Sequence, residues 1–235
     1  MYIAETFYSV QGEGKNIGVP SFFIRTSGCN LRCEWRDLAT GELTKCDTPY
    51  TSWEANGTFK SLDELVLETK KTPAKHVVIT GGEPFMQKEL GKLTAALADL
   101  GYHITIETNG TIFKELPAEA YLSISPKMSN SIPIGSQYES RHRNLIKTKS
   151  VLKELIQHHD YQIKFVVTIP EDLAEITQLQ NELRIPSEKI YLMPEGDKSA
   201  IIREKSKWLI ELCKEYGFNF SDRLHIHIWG SNRGF

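Results

Sequence analysis

"HVVITGGEPFMQKELGKLTAALADLGYHITIETNG", residues 76–110, reads as strand, helix, strand. The β-branched run His76–Thr80 and the run Tyr102–Thr108 bracket a helical pattern over Met86–Leu100, which stops at Gly101. Two strands joined through a helix make a parallel pair. The same alternation continues outward. Further strand-like runs occupy 21–26, 121–125, 161–168, 189–194 and 224–229, giving seven. Helices are expected after Ser61, whose Glu64 completes a capping box, over "PEDLAEITQLQNEL" with Pro170 in its first turn, and over Lys198–Tyr216, ended by Gly217. Seven parallel strands suit an incomplete β/α barrel in a single α/β domain spanning 1–235, with its chemistry at the carboxyl ends of the strands.

The unusual residues fall at those ends. Cys29 follows the run 21–26, Gly81-Gly82-Glu83-Pro84 the second, Glu107-Thr108-Asn109-Gly110 the third, Ser125-Pro126-Lys127 the fourth, and Met193-Pro194-Glu195-Gly196 the sixth. Loops at the opposite rim carry nothing comparable. With 40% hydrophobic and 25% charged residues and a formal charge of −2, the chain gives no electrostatic reason to expect nucleic acid or an anionic membrane as partner. Glu5 stands where a signal peptide would need an apolar run, so a cytoplasmic location is expected.

Three of the four cysteines lie in "FFIRTSGCNLRCEWRDLATGELTKCDTPY" (22–50). In a reducing compartment such a group reads as metal-binding or catalytic. Three thiolates would leave one iron of a four-iron cluster open to a small molecule; joined by His76 or His225 they would instead make a structural zinc site, and buried thiols are the third possibility. Spacing alone leaves these open. Cys213, within a helical pattern, reads as a buried thiol, and "SRHRNLIKTK" (140–149) as a solvated helix start, with His158-His159 ending the same helix.

The loop's company is more specific. "FYSVQGEG", "GCNLRC", "CDTPYTSW", "TGGEP", "IETNG", "SISPK" and the tail "LHIHIWGSNRGF" together resemble the 7-carboxy-7-deazaguanine synthase family of radical S-adenosylmethionine enzymes, across Gln11–Phe235. One departure is clear: deleting residues 36–45 of the cluster loop (28–50) restores "CNLRCEWCDTPYTSW", so these ten form an insertion. It is cheap in closure entropy. It also leads us to expect Trp35 displaced in favour of Thr44 and Lys45.

The resemblance implies that Cys29, Cys33 and Cys46 bind a 4Fe-4S cluster whose open iron takes the amino and carboxylate groups of S-adenosylmethionine. Reduction, by a donor such as a flavodoxin or ferredoxin, would release a 5′-deoxyadenosyl radical. Lys45, Cys46, Asp47, Gly82 and Glu83 are implied cofactor contacts, Glu83 toward the ammonium group. So are Ser125, Pro126, Lys127, Met193, Pro194, Glu195 and Gly196, with Glu107 as ribose acceptor. The family's substrate is 6-carboxy-5,6,7,8-tetrahydropterin, a small molecule. Arg25 would hold its carboxylate, Val10, Gln11, Gly12 and Glu13 its donor–acceptor edge, and Thr80, His225 and the terminal carboxylate of Phe235 would complete the pocket. His225 and His227 are expected on one face of a strand. Mg²⁺ near the substrate would be held by Thr48, with Asp47 helping or capping the loop. A homodimer is implied as well. Two rivals remain: a glycyl-radical activase, which would share the cysteine loop and "GGEP", and a zinc-stabilised binding module without catalysis.

Overall fold

The computed structural model describes residues 1–36 and 40–235, so part of the insertion, residues 37–39, lies outside the described residues. The chain opens with an antiparallel pair, β1 (Tyr2–Val10) and β2 (Pro20–Thr26). A small hairpin follows, β3 (Glu34–Arg36) and β4 (Leu43–Lys45), then α1 (Pro49–Ser52), β5 (Thr58–Phe59) and α2 (Leu62–Lys70). The alternating part comprises β6 (His76–Gly81), α3 (Leu90–Asp99), β7 (His103–Thr108), β8 (Ala120–Ile124), α4 (Glu139–Lys147), α5 (Lys149–His158), β9 (Tyr161–Val167), α6 (Leu173–Leu183) and β10 (Ile190–Pro194). It ends with α7 (Ser199–Tyr216), β11 (Asn219–Phe220) and α8 (Leu224–Trp229).

Nine strands form one sheet in the order β11-β10-β9-β8-β7-β6-β2-β1-β5. From β11 to β2 every neighbouring pair is parallel. The order has two ends and no closure: this is the incomplete β/α barrel. The strands earn their central place by apolar continuity, since Val77, Val78 and Ile79 are fully buried, as are Ile106, Leu122, Ile124, Ile163 and Phe165. On the outside, Leu90, Leu93 and Leu97 put one stripe of α3 into the core; each buried leucine stabilises the fold by roughly 2 kcal/mol. The capping box of α2 forms as expected, with Glu64 N–H on Ser61 Oγ at 3.2 Å and Ser61 N–H on Glu64 Oε2 at 2.7 Å. Gly217, in the left-handed region at φ 69°, ends α7.

Three expectations need correction. Residues 224–229 are the helix α8, not a seventh parallel strand: the alternation Leu-His-Ile-His-Ile-Trp imitates a strand, but Leu224 N–H is bonded to the Gly12 carbonyl at 2.9 Å, outside any ladder. Helical geometry then sends the two histidines apart. His225 turns towards Glu13, while His227 meets Ser199 at 2.7 Å and Asp222 at 2.9 Å. Second, the basic run is no plain solvated helix start, because His142 is buried and Leu145 and Ile146 pack on the Leu31–Cys33–Trp35 cluster. His158 and His159 end a separate helix, α5, after a break at Thr148. Third, the sequence reading passed over β1, whose strand pattern is masked by Glu5.

β1 runs against β2, so Val10 lies beside Pro20 at the amino end of the barrel. Residues 11–16 then cross the interior, where Gln11 reaches Glu107 of β7 (3.0 Å), Gly14 N–H reaches Ser221 (2.8 Å), Lys15 N–H reaches Gln162 of β9 (2.8 Å) and Asn16 reaches Thr105 (3.3 Å). The chain thus fills the gap in its own barrel.

Candidate active site

The carboxyl ends of the parallel strands surround a cavity of about 500 Å³. Its wall contains Cys29, Cys33 and Cys46 from the cluster loop and Gly82 from the "GGEP" turn. The two loops are clamped together by backbone: Glu83 N–H donates to the Gly28 carbonyl at 2.8 Å, and Gly28 N–H to the Thr51 carbonyl at 2.9 Å. A Cβ on Gly82 would sit 2.0 Å from the Gly28 oxygen, so only glycine permits this approach.

The insertion does not pull the cysteines apart. Trp35 faces Thr44 across the β3–β4 ladder, and Cys46 N–H donates to the Cys33 carbonyl at 3.2 Å. Trp35 is buried at 8% exposure beside Leu31 and Cys33 and shares the cavity wall with Thr44 and Lys45, the two residues expected in its place. The Lys45 ammonium lies over Trp53, 4.9 Å from the ring centroid.

All four cysteines are free thiols. Burial, reinforced by Glu83, pushes Cys29 up to about 11. Burial likewise raises Cys33 and Cys46, so without metal the three thiols stay protonated at neutral pH. Among the described residues no group of three His, Cys, Asp or Glu side chains converges as a site for a single ion. His76, one zinc candidate, is at the amino end of β6 between Ser21 and Thr105, each at 2.8 Å, away from the thiols. Soft thiols spread around one cavity suit a multi-iron cluster.

Among the residues expected to contact the cofactor, Lys127 donates to Ser125 Oγ at 2.8 Å, and Glu195 pairs with Lys205 at 2.6 Å. Met193 and Gly196 also line the cavity. Glu83, Pro126 and Pro194 are off its wall. The Glu83 carboxylate is wholly buried and accepts from Phe85 N–H (3.0 Å), Thr108 Oγ (2.8 Å) and Asn109 N–H (2.7 Å). Burial outweighs these donors and raises its pKa.

The same cavity is lined by Val10, Gln11, Gly12, Glu13, Arg25, Thr80, His225 and Phe235. Glu107 accepts from Gln11 at 3.0 Å and from Thr80 at 2.7 Å, which places its carboxylate among these residues. Arg25 Nε donates to Glu5 at 2.8 Å, and Tyr50 reaches the same oxygen at 2.7 Å. The Arg233 guanidinium lies 3.8 Å from the Tyr50 ring centroid, bringing the tail over the cavity, where Phe235 stacks on Trp229.

Two buried cations were missed by sequence reasoning. Lys164 of β9 and Arg223, just before α8, both bind Glu13. Burial works to raise Glu13, yet Lys164, Arg223 and His225 carry it well below the ordinary carboxylate range. Asp47, half-exposed to the cavity, is likewise lowered, because Arg223 outweighs its desolvation. His225 is shifted down by burial despite Glu13, which favours a neutral imidazole. A signal for Lys164 existed: a lone cation inside "YQIKFVVT" is the same anomaly that marks Arg25 in "SFFIRT".

A cysteine loop clamped to a glycine-rich turn on the carboxyl rim of an incomplete parallel barrel is the site of a radical S-adenosylmethionine protein, and the profile of the Radical SAM superfamily matches residues 23–228. A 7-carboxy-7-deazaguanine synthase of Halobacterium salinarum is 39% identical, with 97% of this chain and 90% of that protein aligned. One from Rhodopirellula baltica is 37% identical over 100% of this chain and 88% of that protein. The crystal structure of QueE from Escherichia coli superposes with a TM-score of 0.65 at 26% identity, covering 95% and 94% of the two chains. The chain belongs to the 7-carboxy-7-deazaguanine synthase family. Membership implies a 4Fe-4S cluster and S-adenosylmethionine, and the three thiols fit the cluster.

Proposed function

We propose that this chain converts 6-carboxy-5,6,7,8-tetrahydropterin into 7-carboxy-7-deazaguanine with loss of ammonia. The observation that carries this reading is that Gln11–Glu13, Arg25, Thr80 and His225 line the same cavity as the three cysteines. When bound, the cluster and S-adenosylmethionine supply the one-electron cleavage that starts the reaction. The chain's own residues aim and enclose it.

Arg25 offers a fork to the substrate carboxylate while Glu5 fixes its direction. Glu13, held ionised, accepts from the pterin's N–H groups, and His225, held neutral, presents one donor and one acceptor nitrogen. Gln11 and Thr80 orient Glu107 at the same cavity. The family resemblance assigns Mg²⁺ to the Thr48 hydroxyl, which lines the cavity, and one protein oxygen suffices for an ion that keeps several waters. The family resemblance supports an electron donor of flavodoxin or ferredoxin type and, with it, a reducing cytoplasm. Exposed Tyr2 and Phe59 at the sheet's edge support a homodimer. No described helix is long and apolar enough to cross a membrane.

The test is anaerobic: reconstituted protein, reductant, S-adenosylmethionine, Mg²⁺ and the carboxylated tetrahydropterin, with product followed by mass and absorbance. Deazaguanine formation is expected. Cofactor cleavage without it would turn the assignment towards a glycyl-radical activase, and protein carrying about one zinc and no sulfide would overturn the enzymatic reading.

A further inference from the structure

Arg223 is buried, with 6% of its side chain exposed, and its three bonds go to three different segments. Nε donates to Glu13 Oε1 at 3.0 Å, on the loop that crosses the barrel. Nη2 donates to Asp47, between Cys46 and Thr48, and Nη1 to the Gly196 carbonyl beyond β10. Resting on the function proposed above, these are one residue from the substrate side, one from the cluster loop and one from the cofactor side.

The three attachments are not equivalent. Glu13 keeps Lys164 if the guanidinium is lost, and Gly196 is carried by the end of β10. Asp47 has no other hydrogen-bonding side chain among the described residues, so Arg223 alone ties its carboxylate to the rest of the wall. The fork also has a fixed base. Arg223 N–H is bonded to Asp222 at 2.7 Å, and Leu224 N–H to the Gly12 carbonyl at 2.9 Å, so the backbone behind it is bolted to the crossing loop. A planar guanidinium presents its donors in set directions, whereas a lysine ammonium would supply charge without fixing three acceptors relative to one another.

We propose that Arg223 is the positioning residue that sets the distance between the substrate-reading loop and the cluster loop, so that cofactor cleavage is spent on substrate and not lost uncoupled. It bonds to none of the three cysteines; it acts through Glu13 and Asp47.

The test compares wild type, Arg223→Lys, Asp47→Ala and the double variant, all reconstituted, scoring deazaguanine formed per 5′-deoxyadenosine released. For each single variant the ratio falls about tenfold, the scale expected of a small misplacement, while iron content stays at the wild-type level. The double variant is no worse than the poorer single one, because both changes remove the same arm. A readout without turnover is backbone amide exchange in the metal-free chain, which quickens over 46–52 in both single variants. A ratio unchanged in the variants while wild type makes product would overturn the inference, as would loss of folding and product in strict proportion. Absence of product from wild type would instead overturn the proposed reaction. Should Arg223→Lys not fold, amide exchange over 46–52 in metal-free, cofactor-free Asp47→Ala decides the matter alone, because no cofactor or Mg²⁺ role of Asp47 reaches that readout.

Discussion

Cys46 N–H donates to the Cys33 carbonyl at 3.2 Å, so two cysteines separated by twelve residues are neighbours across the open end of the β3–β4 hairpin. The hairpin returns the chain to where it left, which makes the insertion an appendage to the thiol arrangement and not part of it. Deleting residues 36–45 is therefore expected to leave iron and sulfide per chain unchanged, since the change in closure entropy is under about 2 kcal/mol. Iron and sulfide analysis after anaerobic reconstitution checks this; a deletion variant without iron would show that the hairpin holds the site.

The fourth cysteine gives a contrast. Cys213 is buried on α7 with its thiol 3.5 Å from the Asn219 carbonyl, on the outer helical layer. Alanine at 29, 33 or 46 should abolish iron binding, whereas Cys213→Ala should keep it at a stability cost of about 1 kcal/mol. Absorbance near the iron–sulfur bands and thermal melts separate the two behaviours.

Arg25 reaches the cavity already oriented by Glu5, on whose carboxylate Tyr50 and Arg233 also converge. Arg25→Ala is expected to raise the pterin KM by about tenfold to a hundredfold, the loss of a charge-assisted pair, with iron content intact. Glu5→Gln, which loosens Arg25 without removing it, should do the same more weakly. Loss of the cluster in Arg25→Ala would show that the residue is structural.

A pH dependence of stability follows from His76, far from the cavity. Burial between Ser21 and Thr105 lowers its pKa from 6.5 to about 4. The folded state binds the proton more weakly than the unfolded one, so this contribution is complete above pH 6.5 and is lost as pH falls towards 4, by up to about 3 kcal/mol. Denaturant melts between these limits should show the decline in wild type and a flatter profile in His76→Gln. Equal slopes would remove His76 as the cause.

What could be read from sequence was what a local signal carries. The turn "TGGEP", the cysteine spacing and the capped helices announce themselves because glycine, proline and cysteine constrain the chain within a few residues. β1 escaped because Glu5 interrupts its pattern, and that carboxylate makes sense only once Arg25 lies beside it. Residues 224–229 misled because an alternating Leu-His-Ile-His run has the same period as a strand. Lys164 stood out only as a lone cation in an apolar strand, and the bonds of Arg223 and Lys164 to Glu13 were invisible for a different reason: Glu13 is 210 positions from the first and 151 from the second. No local window connects them.

The loop that fills the barrel's gap leaves little room for side chains where it crosses. A Cβ at Gly12 would stand 2.1 Å from His225 Nδ1, and one at Gly14, where φ is 70°, would stand 2.1 Å from Gln162 Nε2. A substitution at either position would have to displace a side chain from a distant segment, and at Gly14 the backbone conformation adds strain. At Gly12, on the cavity wall, the side chain displaced is that of His225, so a change in the crossing loop is transmitted to an imidazole 213 positions away in the chain.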